Sequence, residues 1–230
     1  NIFKDEHEMM LASFMHDFGK SKVPKEILDS TVRFERDSKE MQMMQNHPVY
    51  GAELLTKMGM PKHVVDMAHL HHIKMDVNMA SSYPKGVNWE DVSLEARLIA
   101  IIDIYQALVG KRSYKKSWAP PAAMKFIDNL AGVEYDLDIW NEFLQLMGRY
   151  PKGSAVELTD KSQAFVVSVP ETELDRPEVV VVRNSAGEDL EHHTLIDLSV
   201  DKDISIAKEI DSYETFGENV IELFTNLQVI

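Results

Sequence analysis

The stretch FMHDFGKSKVPKEIL, residues 14–28, closes an apolar, helically spaced segment on a histidine and an aspartate, then breaks into glycine, lysines and a proline. The residues leading into it, EMMLASFMHD, have the pattern of a helix that ends near Asp17, with Gly19 as its stop. A carboxylate at that point has two oxygens and can bridge two metal ions while the adjacent imidazole binds one of them. The alternative is a helix C-cap closed by a local hydrogen bond, and for the dipeptide alone that is the commoner case.

Outward from this stretch, apolar residues keep recurring at helical spacing from Phe3 to about Tyr150, in HPVYGAELLTKM, KHVVDMAHLHH, SLEARLIAIIDIYQALVG, APPAAMKFIDNLA and DLDIWNEFLQLMGRY. Proline lies in the first turn of two of these segments, where its missing N–H has no helical partner to lose. Beyond YPKGS the pattern changes to short β-branched runs separated by turn residues: AVEL, AFVVSV, EVVVVRNSAGEDL and HHTLIDLSV. The expectation is a mainly α protein. A helical bundle over residues 1–153, its first helix cut short, precedes a small acidic antiparallel β appendage over 154–230 with a helical tail near YETFGENVIELFTNL.

The 230 residues contain no cysteine, so a disulfide framework and a thiolate metal site are both excluded, and any metal must be held by imidazole, carboxylate or water. Net charge is −14, but it is unevenly spread. Residues 155–230 carry 17 acidic and 5 basic side chains, whereas residues 1–154 carry 21 and 19. An anionic substrate therefore remains compatible with the first part, while general binding to duplex nucleic acid, which needs a basic surface, is not expected. The longest apolar run, LIAIIDIYQALV, is interrupted by Asp103 and falls short of the roughly 20 residues that span a bilayer. With no secretory signal either, a cytoplasmic location is expected.

Other polar residues on these segments raise the same question as His16 and Asp17. Asp103 sits among Ile99, Ala100, Gln106 and Ala107, where an ionised carboxylate is costly unless paired or metal-bound; a partly exposed helical aspartate is the plain alternative. His71 and His72 close a helix, and neighbouring helical residues point about 100° apart, so the two rings do not easily share one ion, though each can reach one of two ions roughly 4 Å apart; taken alone, adjacent histidines are more often surface or cap residues than ligands. His47, just before Pro48, is a further candidate that can also be an ordinary N-terminal polar residue. His192 and His193 have no carboxylate pattern around them and are left out. His63 and His69 are expected to be surface or packing histidines, Met41, Met43 and Met44 core filler, and Trp89, Trp118 and Trp140 packing anchors.

The order His16-Asp17, His47, His71-His72, Asp103, with HDFGKSKVPKEIL, HPVYGAELL, HLHH, YPKG, LEARLIAIIDIYQALVGKRSYKK and YPKGSAVEL in sequence, resembles the HD-GYP subgroup of the HD phosphohydrolase superfamily. The likeness runs from about Leu11 to Ser154. It implies an HD-domain helical bundle that hydrolyses cyclic di-GMP, with two divalent metal ions, iron or manganese foremost. By this resemblance the metal ligands are His16, Asp17, His47, His71, His72 and Asp103. Lys20, Arg112 and Lys115 form the phosphate-binding set, and Tyr83 is the tyrosine of the GYP loop. A hydroxide bridging the two ions would attack phosphorus in line, with Asp17 between the ions and Lys20 touching the phosphate or the leaving group. Arg112 offers a bidentate fork and Lys115 a point charge, although KRSYKK can also be a solvated basic stretch.

Several positions depart from the family pattern. Ile73 stands where a glutamate usually follows the paired histidines, Ser82 replaces the glycine of GYP, Gln106 replaces a second aspartate, and the loop is about three residues longer. A further ligand is usual from an upstream helix, and His7 is too near in sequence to supply it. Two functions of different kinds follow: a phosphodiesterase yielding linear dinucleotide or GMP, or a degenerate binding and regulatory module that meets signalling partners through its altered loop. A phosphohydrolase for another nucleotide is the third.

Overall fold

The computed structural model describes residues 6–32, 34–110 and 117–218, and in the C-terminal tail Val220, Leu223 and Thr225. Helices are α1 (Glu6–Met15), α2 (Lys25–Leu28), α3 (Lys39–Gln45), α4 (His47–Lys57), α5 (Lys62–Leu70), α6 (Leu94–Val109), α7 (Pro120–Asp128), α8 (Leu137–Met147) and α9 (Ser212–Phe216). Strands are β1 (Ala155–Leu158), β2 (Gln163–Ser168), β3 (Glu178–Arg183), β4 (Asp189–Asp197) and β5 (Ile206–Glu209). Less than half of the chain is helical among the described residues, so "mainly α" gives way to a helical part followed by a five-stranded sheet.

The described residues form two compact units, one of residues 6–107 and 130–140, the other of 108–110, 117–129 and 141 onward. The expected cut at 153/154 therefore does not coincide with the units, because α7 and the end of α8 go with the sheet. Local contacts explain this for α8: the Gln145 amide donates to Glu171 O at 2.5 Å, and the Arg149 N–H donates to Leu174 O at 3.3 Å.

In the helical unit the apolar stripes of α1, α4, α5 and α6 meet. Ala12, Leu55, Val64, Met67, Ala68 and Ile99 pack as one cluster. Leu70, Ile73, Val92 and Ala96 form a second, which accounts for an isoleucine directly after the paired histidines. Each fully buried aliphatic side chain contributes about 1.5–3 kcal/mol. Trp140 is fully buried, as expected of an anchor, and Trp89 carries the Arg97 guanidinium 4.4 Å above its ring. The methionines 41, 43 and 44 are not core filler. Met43 is 41% exposed, and Met41 and Met44 line a cavity.

The sheet is antiparallel throughout, in the order β4-β3-β2-β1-β5. The run EVVVVR is apolar on both faces because both are covered: Val179 and Val181 pack with Val156, Val166 and Leu198, while Val180 and Val182 pack with Phe165 and Phe216. β5, sequence IAKE, was not expected. It is an edge strand in which only Ile206 is partly buried, with no alternation to reveal it. Val181 pairs with Thr194 and Arg183 with Asp189, so β4 bulges outward over Leu190–His193 and leaves His192 and His193 exposed.

Candidate metal centre

Three histidines sit just past the last turn of a helix, where carbonyls lack helical partners. Each uses one. His16 Nδ1 lies 2.6 Å from Ser13 O after α1, His47 Nδ1 2.7 Å from Met44 O after α3, and His71 Nδ1 3.0 Å from Ala68 O after α5. A carbonyl only accepts, so in each ring Nδ1 carries the proton and the neutral imidazole presents a bare Nε2. The backbone thus orients each ring and selects the ligating tautomer.

Those bare nitrogens converge on Asp17. Its Oδ1 lies 3.2 Å from His47 Nε2 and 3.8 Å from His71 Nε2, its Oδ2 3.5 Å from His16 Nε2, and the Nε2 atoms of His47 and His71 are 3.3 Å apart. His16 Nε2 is also 3.9 Å from Asp103 Oδ1 on α6. His16 Nε2 and Asp17 Oδ1 are buried with no hydrogen-bond partner. Lone pairs facing lone pairs at these distances repel unless a cation lies among them, and this donor set suits divalent metals held by nitrogen and oxygen.

Two groups of ligand atoms, each within 4.8 Å, share Asp17: Asp17, His47, His71 and His72, and His16, Asp17 and Asp103. His71 and His72 therefore fall together rather than on separate groups. α5 has already ended at Leu70, and the turn that follows brings the two rings to 4.1 Å between centroids instead of the splay of a continuing helix.

The electrostatics follow from this crowding. Burial works against the charge of Asp17, yet the His47 ring and the Lys20 ammonium, which donates to Oδ2, hold its carboxyl well below the usual range. Burial and the neighbouring His16 and His47 push His71 well down, and burial with His71 and His47 does the same to His72, so both rings are neutral. For His16 burial is outweighed by the carboxylates of Asp103 and Asp17, which hold its pKa above the ordinary value.

Glycine brings the two halves of the site together. Gly19 is not a left-handed helix stop; it lies within a 3-10 turn, Phe18–Lys22, and is absent from the positive-φ positions. A Cβ on it would stand 1.9 Å from His47 O and 2.4 Å from Gly51 N, so glycine is required for the Asp17 turn to touch the start of α4. That contact sets the distance from Asp17 to His47.

A cavity of about 870 Å³ opens beside the cluster, with Lys20, His47, His72, Tyr83 and Asp103 on its polar side and Ile27, Val32, Phe34 and Met44 on its apolar side. The Tyr83 ring lies 4.5 Å from that of His72. The apolar wall from residues 27–34 was not foreseen, because those residues show no periodicity. Neither was the buried Lys74, whose ammonium donates to the Tyr135 hydroxyl and lies 3.9 Å from Glu134. Arg112 and Lys115 lie outside the described residues.

Residues 4–139 match the HD domain family, and residues 155–218 match a KOW domain associated with HD domain. A cyclic di-GMP phosphodiesterase of Pseudomonas aeruginosa is 31% identical over 175 residues, covering 76% of this chain and 41% of that protein. A 3'3'-cGAMP-specific phosphodiesterase of Vibrio cholerae is 32% identical over 149 residues, covering 61% of this chain and 28% of that protein. The chain thus spans less than half the length of either relative. An HDG"Y"P protein from Bdellovibrio bacteriovorus superposes with a TM-score of 0.45 at 15% identity, over 60% of this chain and 43% of that one, and adds no weight. The motif resemblance is borne out, and with the match covering more than half of its residues the chain belongs to the HD domain family.

Proposed function

We propose that this chain is a metal-dependent phosphodiesterase that hydrolyses cyclic di-GMP to the linear dinucleotide, to GMP, or to both. One observation carries the proposal: three imidazoles oriented through Nδ1 by backbone carbonyls turn their Nε2 atoms toward a shared carboxylate at the polar side of a cavity large enough for a nucleotide. His16, Asp17, His47, His71, His72 and Asp103 would hold two divalent cations, iron or manganese. When bound, these supply Lewis acidity and a water made nucleophilic at neutral pH.

The chain's own residues do the rest. Asp17 shares its carboxylate between the two ligand groups and so fixes their separation. Lys20, paired with Asp17 Oδ2 and lining the cavity, keeps an ammonium where a phosphate oxygen or a departing alkoxide needs a cation or a proton. Tyr83 closes the cavity over His72, and the apolar wall around Phe34 excludes water and offers a face for a base. Arg112 and Lys115 are proposed to complete the phosphate contacts. The relatives named above act on cyclic di-GMP and 3'3'-cGAMP, which supports a cyclic dinucleotide as the substrate class. Exposed loop residues Asn78, Ala80 and Ser81 are the surface proposed for a signalling partner. Among the described residues no helix is long and apolar enough to cross a membrane.

The test is to load purified protein with manganese or iron, incubate it with cyclic di-GMP and separate the products. Linear dinucleotide or GMP that disappears on chelation supports the proposal. Full metal occupancy with no turnover would replace it by the binding and regulatory module.

A further inference from the structure

Residues 73–86 leave the paired histidines and return to them, and the loop is tied near its base. The Tyr83 N–H donates to His72 O at 3.3 Å, and the Lys74 N–H donates to Ser82 Oγ at 3.0 Å. The second tie is made by a side chain, and Ser82 is only 1% exposed. Lys74 is held from the other side too. Its ammonium donates to the Tyr135 hydroxyl, and the next N–H, of Met75, donates to Glu134 O at 3.0 Å. One residue beyond Ser82, the Tyr83 ring tilts at 34° against His72 and lines the cavity.

We infer that Ser82 is a positioning residue: its hydroxyl clasps the Lys74 backbone and thereby sets where Tyr83 stands over His72, and so how tightly the cavity holds a cyclic dinucleotide. The substrate part of this rests on the function proposed above. A glycine in this place would remove the Oγ that accepts from the Lys74 N–H. The serine is then a different means of fastening the loop, and the altered motif is compatible with an ordered site. Any slip of Ser82 against Lys74 reaches Tyr83 within one residue, while the backbone bonds of His16, His47 and His71 remain untouched.

The experiment compares the manganese-loaded full chain with Ser82→Ala and Ser82→Gly. Three readouts are taken: amide hydrogen exchange at Lys74, bound manganese, and kcat and KM for cyclic di-GMP and 3'3'-cGAMP. The expected result is Lys74 exchange faster by about tenfold or more, unchanged manganese and kcat, and KM raised about three- to tenfold, the range of one lost hydrogen bond. Ser82→Cys keeps the volume with a weak acceptor, gives an intermediate effect, and keeps the test readable if the alanine variant does not fold. Unchanged Lys74 exchange overturns the clasp. Faster exchange with unchanged KM in an active enzyme overturns its role in substrate binding. A wild type that turns over neither dinucleotide refutes the function and this substrate role together, whereas exchange still decides the clasp.

Discussion

Gly19→Ala is the smallest change that should take the metal centre apart. The added Cβ would lie 1.9 Å from His47 O, 2.4 Å from Gly51 N and 2.9 Å from Gly51 Cα. All three are backbone atoms, so no rotamer change relieves the overlap. Restoring even a short contact of about 3 Å requires the turn and the start of α4 to separate by roughly 1 Å. Asp17 and His47 sit on those two segments, 3.2 Å apart, while metal ligands tolerate errors of only about 0.2 Å. Overpacking of this kind costs about 1–3 kcal/mol, which lowers the melting midpoint by about 2–4 °C per kcal/mol in a chain of this size. Manganese affinity should fall on the order of 100-fold. Gly51→Ala is the control, since its Cβ would meet Gly19 N at 3.3 Å and the Ala68 side chain at 3.6 Å, contacts that relax with small shifts. The assays are metal content after dialysis against buffered manganese and thermal unfolding by circular dichroism. A Gly19→Ala protein that binds manganese like the wild type, or behaves no worse than Gly51→Ala, would refute the close-approach reasoning.

Further outcomes are expected elsewhere. Asp17→Ala should lose bound metal and turnover together, because both ligand groups include Asp17; metal analysis showing normal occupancy would remove its bridging role. Arg112→Ala should keep its metal while KM rises, and steady-state kinetics on the metal-loaded variant checks this. Asp136 accepts from the Asp138 and Ile139 N–H groups at 3.0 and 3.1 Å at the start of α8, and its Oδ2 meets the Arg97 guanidinium at 2.8 Å. Asp136→Ala should cost about 1–3 kcal/mol in urea unfolding. Burial works against the Asp136 charge, but the Ile139 N–H and Arg97 hold its carboxyl below the ordinary 3.8, so its contribution is present above that pH and fades as pH falls through the folded-state value. A gap between wild type and variant that widens toward low pH would contradict this.

Much of this protein could be read from its residues in order. The helical spacing of KHVVDMAHLHH and LEARLIAIIDIYQALV yields α5 and α6, and EVVVVR yields a strand, because period and apolar content are local properties of the chain; that both faces of this strand are covered came from the packing. IAKE and residues 27–34 carry no such period, so an edge strand and a cavity wall went unseen. For the centre, the order and types of His16, Asp17, His47, His71, His72 and Asp103 already point to imidazole and carboxylate chemistry, since composition decides which donors exist. Where those donors aim was decided only in three dimensions. A free carbonyl at the end of each preceding helix selects the tautomer, and Gly19 against Gly51 sets the approach of Asp17 to His47. Both depend on where helices stop and how closely backbones meet, quantities set by long-range packing rather than by neighbours along the chain.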